Sequence, residues 1–200
     1  MPRDHEAALD RLLGGRETTV DIGRIRFADG RLHFFVNVLG AGFDAEVAER
    51  AQDARAAMTS IPAHVFGFAS ALAGYQNKSI SLSFAGQSPV KSPAAFPCSM
   101  IIAANGPSYA GVMRLAPAAV LDDGLLDVVV IGDVDKLELL WNLPRVFAGT
   151  HLDHEKVAVY RLAAFALESG DHARVQADGE VVGYLPIRVD VLTRALRLIR

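Results

Sequence analysis

Residues Asn105–Asp127 read NGPSYAGVMRLAPAAVLDDGLLD, and how this stretch is read decides the fold. It is flanked by two apolar runs, Phe96–Ala104 and Leu125–Ile131 (LLDVVVI), each with the length and composition of a strand. Gly106, Pro107, Gly111 and Pro117 mark irregular backbone that β-branched residues do not easily follow. The stretch closes on Asp122-Asp123-Gly124. A carboxylate held at a turn, with free carbonyls on either side, can collect a hard cation such as Mg2+. An Asp-Gly pair before a strand is also an ordinary solvated turn, which is the commoner case.

Working outward, the flanking sequence is rich in strands. Val20, Ile22, Ile25 and Phe27 precede Ala28-Asp29-Gly30, and Leu32–Val38 follows, which reads as a hairpin around an Asp-Gly turn. Asp44 is placed to cap a helix from Ala45 to about Met58, with Gly40-Ala41-Gly42 at the bend before it. Ser60 or Ile61 with Pro62 opens a second helix that closes near Gly74. Ile80, Leu82 and Phe84 alternate with serines, as in a strand with one buried face, and Gly86–Pro93 reads as a polar loop.

Phe96–Ala104 reads as one central strand. Lys136–Phe147 is an amphipathic helix with Leu137, Leu140, Trp141 and Leu143 on one side, and Pro144 is expected to kink or shorten it. The last third returns to strands: Val157–Leu167, Arg174–Ala177, Val181–Tyr184, Ile187–Val191 and Ala195–Ile199. Many short strands with few helices predict an antiparallel sandwich or barrel carrying two or three helices.

Composition narrows the functional classes. Of 200 residues, 51% are hydrophobic and 22% charged, which supports a packed core and excludes a disordered chain. A net charge of −3 gives no basic field for nucleic acid. Cys98 is the one cysteine, so no internal disulfide forms, and its apolar setting predicts a buried, reduced thiol. No apolar leader and no membrane-length apolar run is visible, so a soluble, cytoplasmic protein is expected.

A second acidic turn, Asp178-Gly179-Glu180, sits between strand-like runs. An Asp-Gly hairpin alone accounts for the first two residues, but Glu180 adds a carboxylate that could serve as general base toward a hydroxyl. The six histidines have no convincing zinc spacing, and His151 reads as structural. No G-x-S-x-G, P-loop or G-x-G-x-x-G occurs, and Cys98 in an apolar strand is a poor nucleophile. Arg188, Arg194, Arg197 and Arg200 suit the wet face of an edge strand.

In chain order, VDIGRI (Val20–Ile25), FVNVLGAGFDAEV (Phe35–Val47), ANGPSYAGVMRLAPAAVLDDGLLDVVVI (Ala104–Ile131), FAGTH (Phe147–His151) and QADGE (Gln176–Glu180) resemble one family. It is the C-terminal half of the diacylglycerol kinase catalytic family, the bacterial lipid kinases related to sphingosine and ceramide kinases. The ordered set is specific for the family but not for the lipid. Two departures stand out: Ala110-Gly111-Val112 replaces a glycine triplet, and neither GGDGT nor GT-x-ND occurs.

The resemblance implies a mainly β (α+β) fold, an antiparallel β-sandwich or barrel-like domain as in the lipid kinase and NAD kinase-like proteins. Residues 1–17 would be a linker helix following a nucleotide-binding domain, and residues 18–200 the substrate-side β-domain. It further implies an ATP-dependent kinase acting on a lipid hydroxyl, with diacylglycerol converted to phosphatidic acid in phospholipid metabolism. Glu180 would take the hydroxyl proton, with Asp178 as an orienting carboxylate. Asp123 with the carbonyls of Val120 and Leu125 would hold a structural Mg2+, and ATP would bind mainly to the preceding domain.

Lacking the phosphate cradle, the 200 residues alone are expected not to be a competent kinase. Expected partners are the lipid, a transient membrane surface and, through an interdomain face, a second copy. Competing readings are a non-catalytic lipid- or partner-binding β-domain and an NAD kinase-like domain. The second ranks lower because APAAVLDDGLLDV looks like the lipid branch.

Overall fold

A computed structural model describes residues 5–54, 60–84, 96–109 and 113–199. The loop expected at 86–93, the end of the first long helix beyond residue 54 and the triplet 110–112 lie outside the described residues. After α1 (His5–Gly14) the chain forms β1 (Glu17–Phe27), β2 (Leu32–Phe35), β3 (Val38–Gly42), α2 (Phe43–Ala54) and α3 (Ser60–Gly74). Then come β4 (Lys78–Phe84), β5 (Phe96–Cys98), β6 (Met100–Ala104), β7 (Leu126–Ile131) and α4 (Lys136–Ala148). It ends with β8 (Val157–Leu162), β9 (Ala164–Ser169), β10 (Arg174–Ala177), β11 (Glu180–Tyr184) and β12 (Ile187–Ile199).

The strands make two six-stranded sheets, in the orders β2-β1-β12-β9-β4-β5 and β11-β10-β3-β6-β7-β8. Neighbouring strands pair antiparallel throughout. The sheets face each other as a sandwich, so the expected mainly β architecture holds without closure into a barrel. One core lies between the sheets, around Phe35, Ile101, Leu126, Phe165 and Leu167. A second lies on the outer face of the second sheet, where Val38, Ile102 and Val129 meet Phe43, Ala71 and Tyr75 of the helical layer.

That double covering explains the sequence of the second sheet. Strands β3, β6 and β7 are buried at every position and, Asp127 apart, read as runs of apolar residues. The first sheet keeps one wet face, and β4 accordingly alternates Ile80 and Leu82 with serines.

Several single runs divide because the chain changes sheets inside them. Phe96–Ala104 is two strands, β5 in the first sheet and β6 in the second. Ser99 stands between them, its carbonyl taking the Phe43 N–H at 2.9 Å and the Tyr75 hydroxyl at 2.7 Å. Val157–Leu167 likewise divides into β8 and β9 at Ala163, and Leu32–Val38 into β2 and β3 at Val36-Asn37.

The two runs after Ile187 are instead one strand, β12, bulged where Val20 pairs with Leu196 but Ile22 pairs with Leu192. Gly40-Ala41-Gly42 is part of β3 rather than a bend, and only Gly42, at φ +89°, turns the chain into α2. Asp44 lies inside the first turn of α2 rather than ahead of it. Pro144 does not end α4, which runs on to Ala148 and closes on Gly149 in the left-handed region. Leu137, Leu140 and Trp141 face solvent, not the core.

Cys98 is fully buried, and burial pushes its thiol up to about 12. At pH 8 the thiolate is then a trace species, and a disulfide reagent should leave the native protein unmodified while reacting with one thiol per chain in guanidinium. Stoichiometric labelling of the folded protein within minutes would show that β5 does not protect it.

Candidate functional site

The Asp178-Gly179 turn joins β10 to β11, with Ala177 and Glu180 paired across it. Both turn residues have positive φ, 50° and 91°, the two-residue hairpin geometry that Asp-Gly suits. The Asp178 carboxylate goes beyond an ordinary turn. Its Oδ2 accepts from the Val36 N–H at 2.7 Å, and its Oδ1 from the Asn37 and Val38 N–H groups at 2.9 Å each. Three donors freed where β2 breaks from β3 thus converge on one carboxylate, fastening the hairpin to that break.

Beneath the turn, Gly179 donates to Gln176 Oε1 at 2.8 Å, and Gln176 Nε2 donates to Asp44 Oδ2 at 2.6 Å. Gly40 makes this possible, since a Cβ there would overlap Asp44 Oδ2. Glu180 differs from its neighbours. It is exposed, and among the described residues its carboxylate has no hydrogen bond or ion pair.

Asn37, Asp44, Asp178 and Gly179 form the polar end of a cavity of about 670 Å³. Its other walls are chiefly apolar: Phe43 and Val47 of α2, Phe68 of α3, Met100 and Ile102 of β6, and Leu139, Leu143 and Val146 of α4. A volume of this size and lining suits a hydrophobic small molecule. His151, which also lines it, is buried with Nε2 donating to the Leu115 carbonyl at 3.1 Å. Burial lowers its pKa, so the imidazole is neutral near pH 7 and holds the loop after α4, in agreement with a structural role.

The loop Val120–Leu125 lies against β1 through Asp21, a residue the sequence reading passed over. The Asp21 side chain is fully buried. Its Oδ2 accepts the Gly124 N–H at 2.7 Å and its Oδ1 the Arg194 N–H at 2.6 Å. Its own N–H donates to the Leu121 carbonyl at 2.7 Å, and its carbonyl accepts Asn105 Nδ2 at 2.8 Å. Asn105 Nδ2 also donates to the Val36 carbonyl at 2.7 Å, while the Asn105 N–H donates to the Asn37 carbonyl at 2.8 Å. Asn37 Nδ2 reaches the Ser108 carbonyl at 3.0 Å. One polar chain, buried at Asp21 and Asn105 and half-buried at Asn37, therefore joins the two acidic turns that the sequence presents as separate.

Of the residues expected to hold a cation, Asp123 sits at the surface and accepts the Leu125 N–H at 3.0 Å and the Arg161 guanidinium. Arg161 also reaches Asp127, at 3.3 Å. Asp127 is buried, its Oδ2 has no partner, and burial raises its carboxyl above the usual range against the opposing pull of Arg161. No three His, Cys, Asp or Glu side chains among the described residues converge to hold an ion, so a cation here would lean on main-chain carbonyls and water.

Replacing Asp21 by Asn keeps the shape but sets an amide NH2 against an N–H donor in a site closed to water. A loss of about 2–4 kcal/mol in unfolding free energy is expected by denaturant titration, close to that of Asp21→Ala. A change within about 0.5 kcal/mol would remove Asp21 as the anchor.

Comparison with known proteins follows this geometry. Residues 37–200 match the YegS C-terminal NAD kinase β-sandwich-like domain. A diacylglycerol kinase of Mycobacterium tuberculosis is 26% identical over 198 residues, covering 99% of this chain and 62% of its own length. That of Staphylococcus carnosus is 24% identical over 188 residues, covering 93% and 58%. The chain thus spans about three fifths of the length of these relatives.

A solved diacylglycerol kinase structure from Bacillus anthracis superposes with a TM-score of 0.64 at 13% identity, covering 99% of this chain and 59% of that one. A second Bacillus anthracis structure gives 0.73 at 17% identity, covering 99% and 61%. At these identities the superpositions speak for the fold alone. Together with the domain match over most of the chain, they agree with the two sheets and the strand order described above. The chain belongs to the YegS C-terminal, NAD kinase β-sandwich-like domain family, among relatives that are diacylglycerol kinases.

Proposed function

We propose that this domain is the acceptor half of an ATP-dependent lipid kinase, and that it presents the hydroxyl of a diacylglycerol for phosphorylation to phosphatidic acid. The observation that carries the reading is the apolar cavity of about 670 Å³ whose polar end is the Asp178-Gly179 turn, with Glu180 immediately after it. An acyl chain in the cavity would leave the glycerol hydroxyl beside the turn. Glu180, uncommitted to any partner among the described residues, would take the hydroxyl proton as that oxygen attacks the γ-phosphorus of ATP. The bond from the γ-phosphorus to its bridging oxygen breaks and ADP leaves. Asp178, engaged by three main-chain donors, positions the turn and is not the base.

The loop 120–125 suits a hard cation by its charge. Asp123 and Asp127 share one guanidinium, which leaves an uncompensated negative charge, and Asp127 Oδ2 is buried without a partner. In this proposal Asp123, with the carbonyls of Val120 and Leu125, would hold Mg2+. Bound there, the ion would neutralise the carboxylate charge that Arg161 only partly compensates. The phosphates of ATP would be cradled by a separate nucleotide-binding domain, in a protein working at the inner surface of the membrane. No described helix is long and apolar enough to cross a bilayer.

Phosphate transfer from ATP to diacylglycerol tests the base. Joined to the nucleotide-binding part of a curated relative, the chain should turn over, and Glu180→Gln should lower kcat about 10²–10⁴-fold at unchanged stability. Robust turnover by Glu180→Gln would overturn that role, and robust turnover by the 200 residues alone would refute the division of labour. For the ion, saturating Mg2+ should raise stability by about 2–3 kcal/mol in melts of the wild-type chain and do nothing for Asp123→Asn. An equal rise in both would place the ion elsewhere.

A further inference from the structure

Helix α4 is apolar on both sides. Its inner face, Leu139, Leu143 and Val146, walls the cavity. Its solvent-facing positions are Lys136, Leu137, Leu140, Trp141, Pro144, Phe147 and Ala148, and no residue of the helix is fully buried. Leu137 is 67% exposed, Leu140 49% and Trp141 80%. A surface helix of a protein bathed only in water carries charged and polar residues on that side. Here the stripe runs into the cavity rim, because Phe147 and Val65 of α3 both line the cavity and stay 45% and 65% exposed.

Charge points to what covers this face. The single acid of α4, Glu138, faces inward, where it is paired with Lys156 at 2.7 Å and lies 3.3 Å from His154. The solvent-facing stripe itself carries one charge, the cation Lys136. At the other end of the helix, exposed Arg114 packs beside Gly149, with its N–H on the Val146 carbonyl. Exposed Asp133 and Asp135 precede Lys136, so the surplus cation lies at the Arg114 end, and an apolar stripe with a tryptophan and a flanking cation is the pattern that settles at the boundary of headgroups and acyl chains on an anionic bilayer.

We propose that α4 docks on an anionic phospholipid surface, with Leu137, Leu140 and Trp141 entering the acyl boundary so that the cavity rim opens into the lipid. This deepens the lipid-acceptor reading and rests on it for what enters the cavity; the docking is tested by itself. Burying the stripe against lipid removes the exposed apolar area. It also gives a water-insoluble substrate a path from bilayer to cavity that never crosses water.

Trp141 is the one tryptophan of the chain, so its fluorescence reports directly on this face. With vesicles of phosphatidylcholine and phosphatidylglycerol, its emission should shift to the blue and be quenched by brominated acyl chains. Binding should weaken with salt and in pure phosphatidylcholine. The double variant Leu137→Glu/Leu140→Glu, folded by circular dichroism and melting, should bind at least about tenfold more weakly. Glu180→Gln should bind as wild type; if the wild-type chain binds vesicles while the joined wild-type protein fails the kinase assay, the function reading falls and the docking stands.

Three outcomes overturn the docking: no vesicle binding, binding unchanged in the double variant, or a blue shift that grows with protein concentration in the absence of lipid. The last, with a dimer by light scattering, would mean that a second copy covers α4. If the double variant does not fold, Leu140→Ser with the same quenching measurement decides, and an unchanged quench overturns the proposal.

Discussion

The site depends on a buried carboxylate that has no charged partner among the described residues. Asp21 sits in a strand of the first sheet, and its side-chain oxygens take main-chain N–H groups from two distant segments, the acidic loop at Gly124 and the β12 bulge at Arg194. Arg194 can present its N–H there because it adopts positive φ at the bulge, opposite the register shift between Val20 and Ile22. Burying a carboxylate is costly unless hydrogen bonds satisfy it, and two short main-chain bonds to its oxygens offset part of that cost. The hydrogen bonds continue through Asn105 and Asn37 to Asp178, so the two acidic turns are ends of one polar chain.

The polar chain also explains the wet end of the cavity at the Asp178-Gly179 turn. The second sheet is apolar on both faces because helices cover the side turned away from the first sheet, and that helical layer leaves the cavity unfilled. Where β2 breaks from β3, main-chain donors would be stranded at the cavity's end, and Asp178 collects three of them. A carboxylate so engaged is a poor base. Glu180, two residues on, makes no such bonds among the described residues, which is why the proposal assigns the proton to it.

Much of this was legible in the linear pattern. Unbroken apolar runs marked the doubly covered strands, alternation marked β4, Asp-Gly pairs marked two hairpins, and the ordered motifs carried the family. The failures share one cause. Hydrophobic pattern reports burial but not the sheet in which burial occurs, so Phe96–Ala104 and Val157–Leu167 each read as one strand while crossing between layers. The same limit reversed α4, where Leu137, Leu140 and Trp141 have helical spacing and apolar character whether they face a core or the outside.

Asp21, Asn105 and Gln176 were missed because a polar residue inside an apolar run carries no local sign of its partner, which lies 69 to 173 residues away for the first two. By itself the sequence determined what short-range physics controls: strand and helix periods, turn residues able to take positive φ, a lone unpaired thiol, and the stretches that place the chain in its family. The tertiary structure alone decided which turns meet, which carboxylate is spent on main-chain donors and which stays available, and which face of α4 is left to solvent. Those outcomes depend on contacts between segments far apart in the chain, and these exist only once the two sheets and the helical layer have packed.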